Sequence, residues 1–325
     1  MQKNYTLWIL LATILLALGP IFVSQIGPAG QARWMVARSA NEYQDGNPET
    51  AQKTLDAAIT KSVEVAADEE YWRLRFQIVF GKQSVDSVKA GELCDEAIST
   101  LLKLDESQRS RAAAIVANYF VLNQRVHLAV RTLENVLPKM ELRSAEDNNS
   151  LAYMRSLEKK NLEVALKEVD LALAMDQSNS QILDTKAWIL HGLNRNEVAL
   201  KFASECIRKY YAQEDVARFF GMEKTITVPI TPASPKTPER SVTENTELIA
   251  SKSELPRNTG LPNSLDLLKL KNPFYQNKIE NHARVIAVLR FHRASILEDL
   301  GRDDEADMDY AWLDMFGFED TQNLK

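Results

Sequence analysis

Cysteine is scarce in this chain of 325 residues: Cys94 and Cys206 are the whole supply. Two thiols make no disulfide framework and permit at most a single bridge. Histidine is nearly as rare, and His127, His191, His282 and His292 stand at no spacing that pairs them on a metal, with one another or with a cysteine. None lies in an H-E-x-x-H arrangement, and the chain has no Gly-rich phosphate loop, G-x-S-x-G elbow or C-x-x-C pair. Excess positive charge is missing as well. Lys and Arg number 39 against 45 Asp and Glu, a net charge of -6, so no basic stripe offers itself to nucleic acid. These absences argue for a protein that is not an enzyme, holds no cofactor or metal, and does not bind nucleic acid.

What is present begins with an apolar N-terminus. Leu7 to Ile26 are 20 residues without a charge, preceded by Lys3. As a helix they would span about 30 Å, enough for a bilayer core. Two readings stand: a signal peptide cut after Ala29, or a retained signal anchor in which Gly19-Pro20 is a kink. The apolar run continuing through Ile21-Phe22-Val23 favours retention. The expectation is a single-pass anchor with the bulk of the chain outside the cytoplasm, and the alternative is secretion after cleavage.

The rest of the chain is organised around residues 148–211. Shifted by 34 residues, Val164-Ala165-Leu166 falls on Val198-Ala199-Leu200, Ala172 on Cys206 and Lys160 on Asn194. Two short amphipathic helices per unit at a fixed period predict a helical solenoid. Upstream, helices are expected from about Gln31, then after Asn47-Pro48 with Ala51, Leu55 and Ala58 on one face. Further pairs follow over Glu69–Phe80 with Ser87–Leu104, and Arg109–Leu122 with Val126–Lys139. Gly46 suits a helix end, Asn47 an N-cap and Pro48 the first helical turn. Residues 222–264, rich in Pro, Thr, Ser and Glu and without an aromatic, predict disorder. The apolar cluster Leu265–Tyr275 follows as a strap or a short linear motif. The expected domains are thus 1–30, an anchor or signal; 31–221, a solenoid; 222–275, the insert and strap; and 276–325, a closing helical pair.

Taken together, LAY…LEVALKEVDLALAMD…ILDTKAWILHGLNRNEVALK resembles tandem tetratricopeptide repeats. That family places small residues where helices approach closely. Here Ala187, Ala199 and Cys206 fill those places in one unit, and Ala165 and Ala172 fill two in the unit before. Ala152 joins them if one residue is inserted in its turn. The resemblance covers 32–211 with decreasing clarity toward the N-terminus and resumes at about 282–318, where Ala294, Gly301 and Ala306 match. It implies an all-α, right-handed superhelical solenoid of helix-turn-helix repeats whose first helices line a groove. Groove positions carried over residue by residue are Asn118, Tyr153 and Trp188, then Ala114, Asn149 and Asp184, with His191 in the last unit. Aromatic rings beside amides and a carboxylate suit an extended protein or peptide partner. The competing reading has Tyr153 and Trp188 packing between helices. The family's carboxylate clamp is not assembled, since Asn118 is an isolated member. The expected function is a membrane-tethered interaction scaffold. The alternative is a non-catalytic structural or regulatory subunit of a membrane-associated complex, contacting it through the insert.

Overall fold

A computed structural model describes residues 27–81, 87–213, 216, 220 and 273–318. The apolar run 7–26, the insert 222–264 and most of the Leu265–Tyr275 strap lie outside the described residues. No described helix is long and apolar enough to cross a membrane.

Twelve α-helices and no strand occur among the described residues. They are α1 (Pro28–Gln44), α2 (Pro48–Lys61), α3 (Glu69–Phe80), α4 (Ser87–Leu101), α5 (Glu106–Leu122), α6 (Val126–Val136), α7 (Ala145–Glu158), α8 (Leu162–Met175), α9 (Ser180–Gly192), α10 (Asn196–Tyr211), α11 (Pro273–Asp299) and α12 (Asp303–Met315). Short 3-10 turns occupy Val63–Ala67 and Met140–Leu142. The chain divides into two compact units, residues 1–195 and 196–325.

Local chemistry sets the ends. Helix α1 begins at Pro28 rather than near Gln31, because proline lacks only an N–H that a helix start leaves unused. Asn47 is the N-cap of α2 as expected, but its side chain makes no capping bond. Helix α6 stops at Val136, short of Lys139. Leu137 precedes Pro138, and the proline ring forces it into extended backbone at φ -74°, ψ 149°. Helix α4 stops at Leu101, where Lys103 and Leu104 tighten into i→i-3 bonds.

One turn recurs along the chain. Gly46, Gln124, Lys159, Asn194 and Gly301 all hold left-handed backbone, with φ between 57° and 82°. Behind each, the next N–H reaches back five residues: Asn47 to Glu42, Arg125 to Phe120, Lys160 to Arg155, Arg195 to Leu190, Arg302 to Leu297. This is the Schellman closure, which satisfies carbonyls that a helix end would otherwise strand. Seven residues before each left-handed residue stands a small, fully buried one: Ser39, Ala117, Ala152, Ala187, Ala294. Twelve residues after that, a buried alanine follows at 51, 129, 199 and 306, but at 165 the interval is thirteen. The inserted residue is visible in the α7–α8 turn, where Asn161 is left-handed in addition to Lys159. Small side chains at these places let helices approach closely.

In the first unit α1–α2, α5–α6 and α7–α8 pack as hairpins. Each leading helix also packs on the next (α1 on α3, α3 on α5, α5 on α7, α7 on α9), and α2, α6 and α8 pack on the leading helix that follows. Neighbour-only packing is the solenoid pattern. Its core runs from Ala32 and Leu55 through Trp72, Phe76, Phe120 and Leu133 to Leu151. In the second unit α10 packs on α11, and α11 pairs with α12. Cys94 and Cys206 are buried free thiols, and burial pushes the Cys94 thiol up from its ordinary pKa.

Candidate partner-binding face

Helices α5, α7 and α9 are successive leading helices of the first unit, so residues 35 apart recur on equivalent faces. Asn118, Tyr153 and Trp188 form one such series, and Asn149 and Asp184 belong to another. The environments differ. Asn118 is exposed on α5, and its side chain has no hydrogen-bond partner among the described residues. Asn149 is half-buried, and its Oδ1 is shielded from solvent with no partner among the described residues. A shielded, unused acceptor is costly, on the order of 1–3 kcal/mol.

Tyr153 is half-buried against the apolar core of the first unit, beside Leu157. Burial pushes its phenol up to about 12, and the nearby Asp184 carboxylate pushes the same way. Asp184 itself is 7% exposed on α9. One turn on, the half-buried rings of Trp188 and His191 lie 5.0 Å apart with a 38° tilt. The structure therefore brings Tyr153 near Asp184 and Trp188 onto His191, while Asn118 stands alone. Tyr153 thus packs against the core while remaining half-buried.

Sequence reasoning passed over the neighbouring helix α3. Phe76 there stacks on Tyr119 of α5 with centroids 5.2 Å apart. Arg73 grips Glu70 through two nitrogens and donates to Gln77 Oε1 at 2.9 Å. Burial, and then the charge of Glu69, raise the Tyr119 pKa, so this ring too belongs to a charged, half-buried surface. The available signal was Tyr119 itself, an aromatic adjacent to Asn118.

Rings and amides of this kind have the chemistry for stacking and backbone hydrogen bonding. Among the described residues, no cluster of His, Cys, Asp and Glu is arranged to hold a metal ion.

No family model matches the chain, and no curated protein matches it. Among solved structures it is similar to one described as "Crystal structure of YrrB: a TPR protein with an unusual peptide-binding site", at 13% identity and a TM-score of 0.31. The match covers 55% of this chain and 86% of that one.

Proposed function

We propose that the chain is a membrane-tethered scaffold of tetratricopeptide type that binds a protein or peptide partner along α5, α7 and α9. The observation that carries the reading is the recurrence of Asn118, Tyr153 and Trp188 at 35-residue intervals on α5, α7 and α9, with the Trp188 and His191 rings 5.0 Å apart. The rings would stack on an extended peptide and the amides would hydrogen-bond its backbone. The uncharged run Leu7–Ile26 would supply the tether, with the solenoid outside the cytoplasm.

The test uses full-length protein solubilised from membranes, with Asn118→Ala/Asn149→Ala/Trp188→Ala beside the parent. Partners captured by the parent and lost from a variant of unchanged melting temperature would support the row. Equal capture by both would overturn it. Deleting residues 222–264 should leave this capture intact; loss on deletion would instead favour an architectural subunit that works through the insert. The tether is checked separately by fractionation, and a full-length chain found in the soluble fraction would remove it.

A further inference from the structure

We propose that the outward face of α12 docks a cationic amphipathic helix of a partner protein. The second unit fixes one side of α12 firmly. Ala306, Trp312 and Leu313 are buried, and Asp309 is fully buried between Arg290 at 2.9 Å and Arg293 at 2.6 Å on α11. The other side is apolar along its middle. Met308 is 60% exposed and Met315 59% exposed, with exposed Ala311 between them. Spacings of three and four place the three on one line of the helix. Methionine is unbranched and polarizable, which suits it to a partner surface.

One flank of this line, with Asp303, Asp307 and Asp314, carries one sign of charge, and Asp304 extends the line itself at its N-terminal end. Helix α12 contains no Lys or Arg, and Asp303, Asp304, Asp307 and Asp314 are exposed and enter no ion pair among the described residues. The first two are explained by the positive end of the helix dipole, but Asp307 and Asp314 are not. Asp314 lies in the last turn, against the negative end, where α10 by contrast carries Arg208 and Lys209. A carboxylate placed there is unfavourable in the free protein, and a partner's cation would offset it.

Charge selects the occupant. A second copy would bring like charges together, and an anionic membrane surface would be repelled. A helix with apolar residues at spacings of three, four and seven, rimmed by Lys or Arg, matches both the stripe and its acidic flank. This surface uses none of the residues in the proposed groove, so either can fail without the other.

The test titrates the full-length protein with a labelled synthetic amphipathic helix of leucine and lysine, about four turns long. Binding should weaken by about tenfold or more in Met308→Ser/Met315→Ser, and by a similar factor for a scrambled peptide of the same composition. Asp307→Asn/Asp314→Asn should flatten the salt dependence. Asp314→Lys should weaken binding while raising the melting temperature. Three outcomes would overturn the proposal: no binding, binding indifferent to the methionine pair, or a concentration-dependent dimer abolished by that pair. The last would make a second copy the occupant.

Discussion

Hairpins α5–α6 and α7–α8 close with the same backbone turn yet are held together by different chemistry. The first is apolar: Val116, Ala117 and Phe120 of α5 are buried in the same core as Leu128, Val130 and Leu133 of α6. The second buries a charge. Glu168 of α8 is fully inaccessible to solvent and accepts from Arg155 Nε at 3.0 Å and Arg143 Nη1 at 2.7 Å. Arg155 of α7 also reaches Glu134 of α6 at 2.7 Å, so the network ties one hairpin to the next. The turn geometry is thus indifferent to what fills the interface. The filling decides how strictly the register is specified, because hydrophobic contacts tolerate sliding and a buried carboxylate with two guanidinium partners does not.

The largest effect should come from removing the buried charge. Glu168→Ala deprives the buried Arg143 and Arg155 of the carboxylate they share, leaving Arg155 only Glu134 and Arg143 only the Pro138 carbonyl, and should cost about 3–5 kcal/mol. Phe120→Ala, the apolar counterpart, should cost a similar 3–5 kcal/mol through cavity formation. The comparison is sharpened by conservative changes. Phe120→Leu should recover most of the loss, since it restores volume, whereas Glu168→Gln should recover little, since its amide cannot neutralise two guanidiniums. Urea unfolding of the four variants measures this. If Glu168→Gln is as stable as the parent, the buried network does not set the register.

A second test uses alkaline pH. The Tyr153 phenol rises from 10.0 to about 12 in the folded protein, so the folded state holds its proton where the unfolded state has released it. That contribution is complete below pH 10 and is lost as pH climbs toward 12, an upper bound of about 2–3 kcal/mol. Tyr153→Phe should leave stability near neutral pH within about 1 kcal/mol and make its fall above pH 10 shallower. Identical alkaline profiles for parent and variant would place Tyr153 in solvent rather than against the core. Hairpin α5–α6 offers a control in Phe120, which does not titrate.

The alanine ladder was legible because close helix approach admits few side chains, and alanine repeats at fixed intervals. Even the inserted residue showed, as a 34-residue match that fails at Ala152. In the first hairpin Ser39 stands where the other units carry alanine. Its hydroxyl donates to the Ala51 carbonyl at 2.6 Å, so a polar atom is satisfied where a methyl would fit. Glu168 was not legible. In LEVALKEVD it reads as a solvated charge, and its burial is justified only by arginines 13 and 25 residues away. For the proposed row, the 35-residue spacing relates Asn118, Tyr153 and Trp188 across three leading helices, but no spacing says which ring faces the core.

The smallest effect separates the turns from the filling altogether. Turn residues cannot be read from side-chain type here, because Gln124 and Lys159 occupy left-handed backbone without any chemical preference for it. A non-glycine residue there costs about 1–2 kcal/mol, and glycine gives back about 0.5–1 kcal/mol through its freer unfolded chain. Gln124→Gly and Lys159→Gly should therefore each stabilise by about 0.5–1 kcal/mol, a rise of a few degrees in melting temperature. Both side chains are exposed, so no packing is lost. Equal gains at the two sites would mean that the closure is one device reused in both hairpins. A gain at Gln124 alone would mean that Asn161, the second left-handed residue of the α7–α8 turn, already relieves the strain at Lys159.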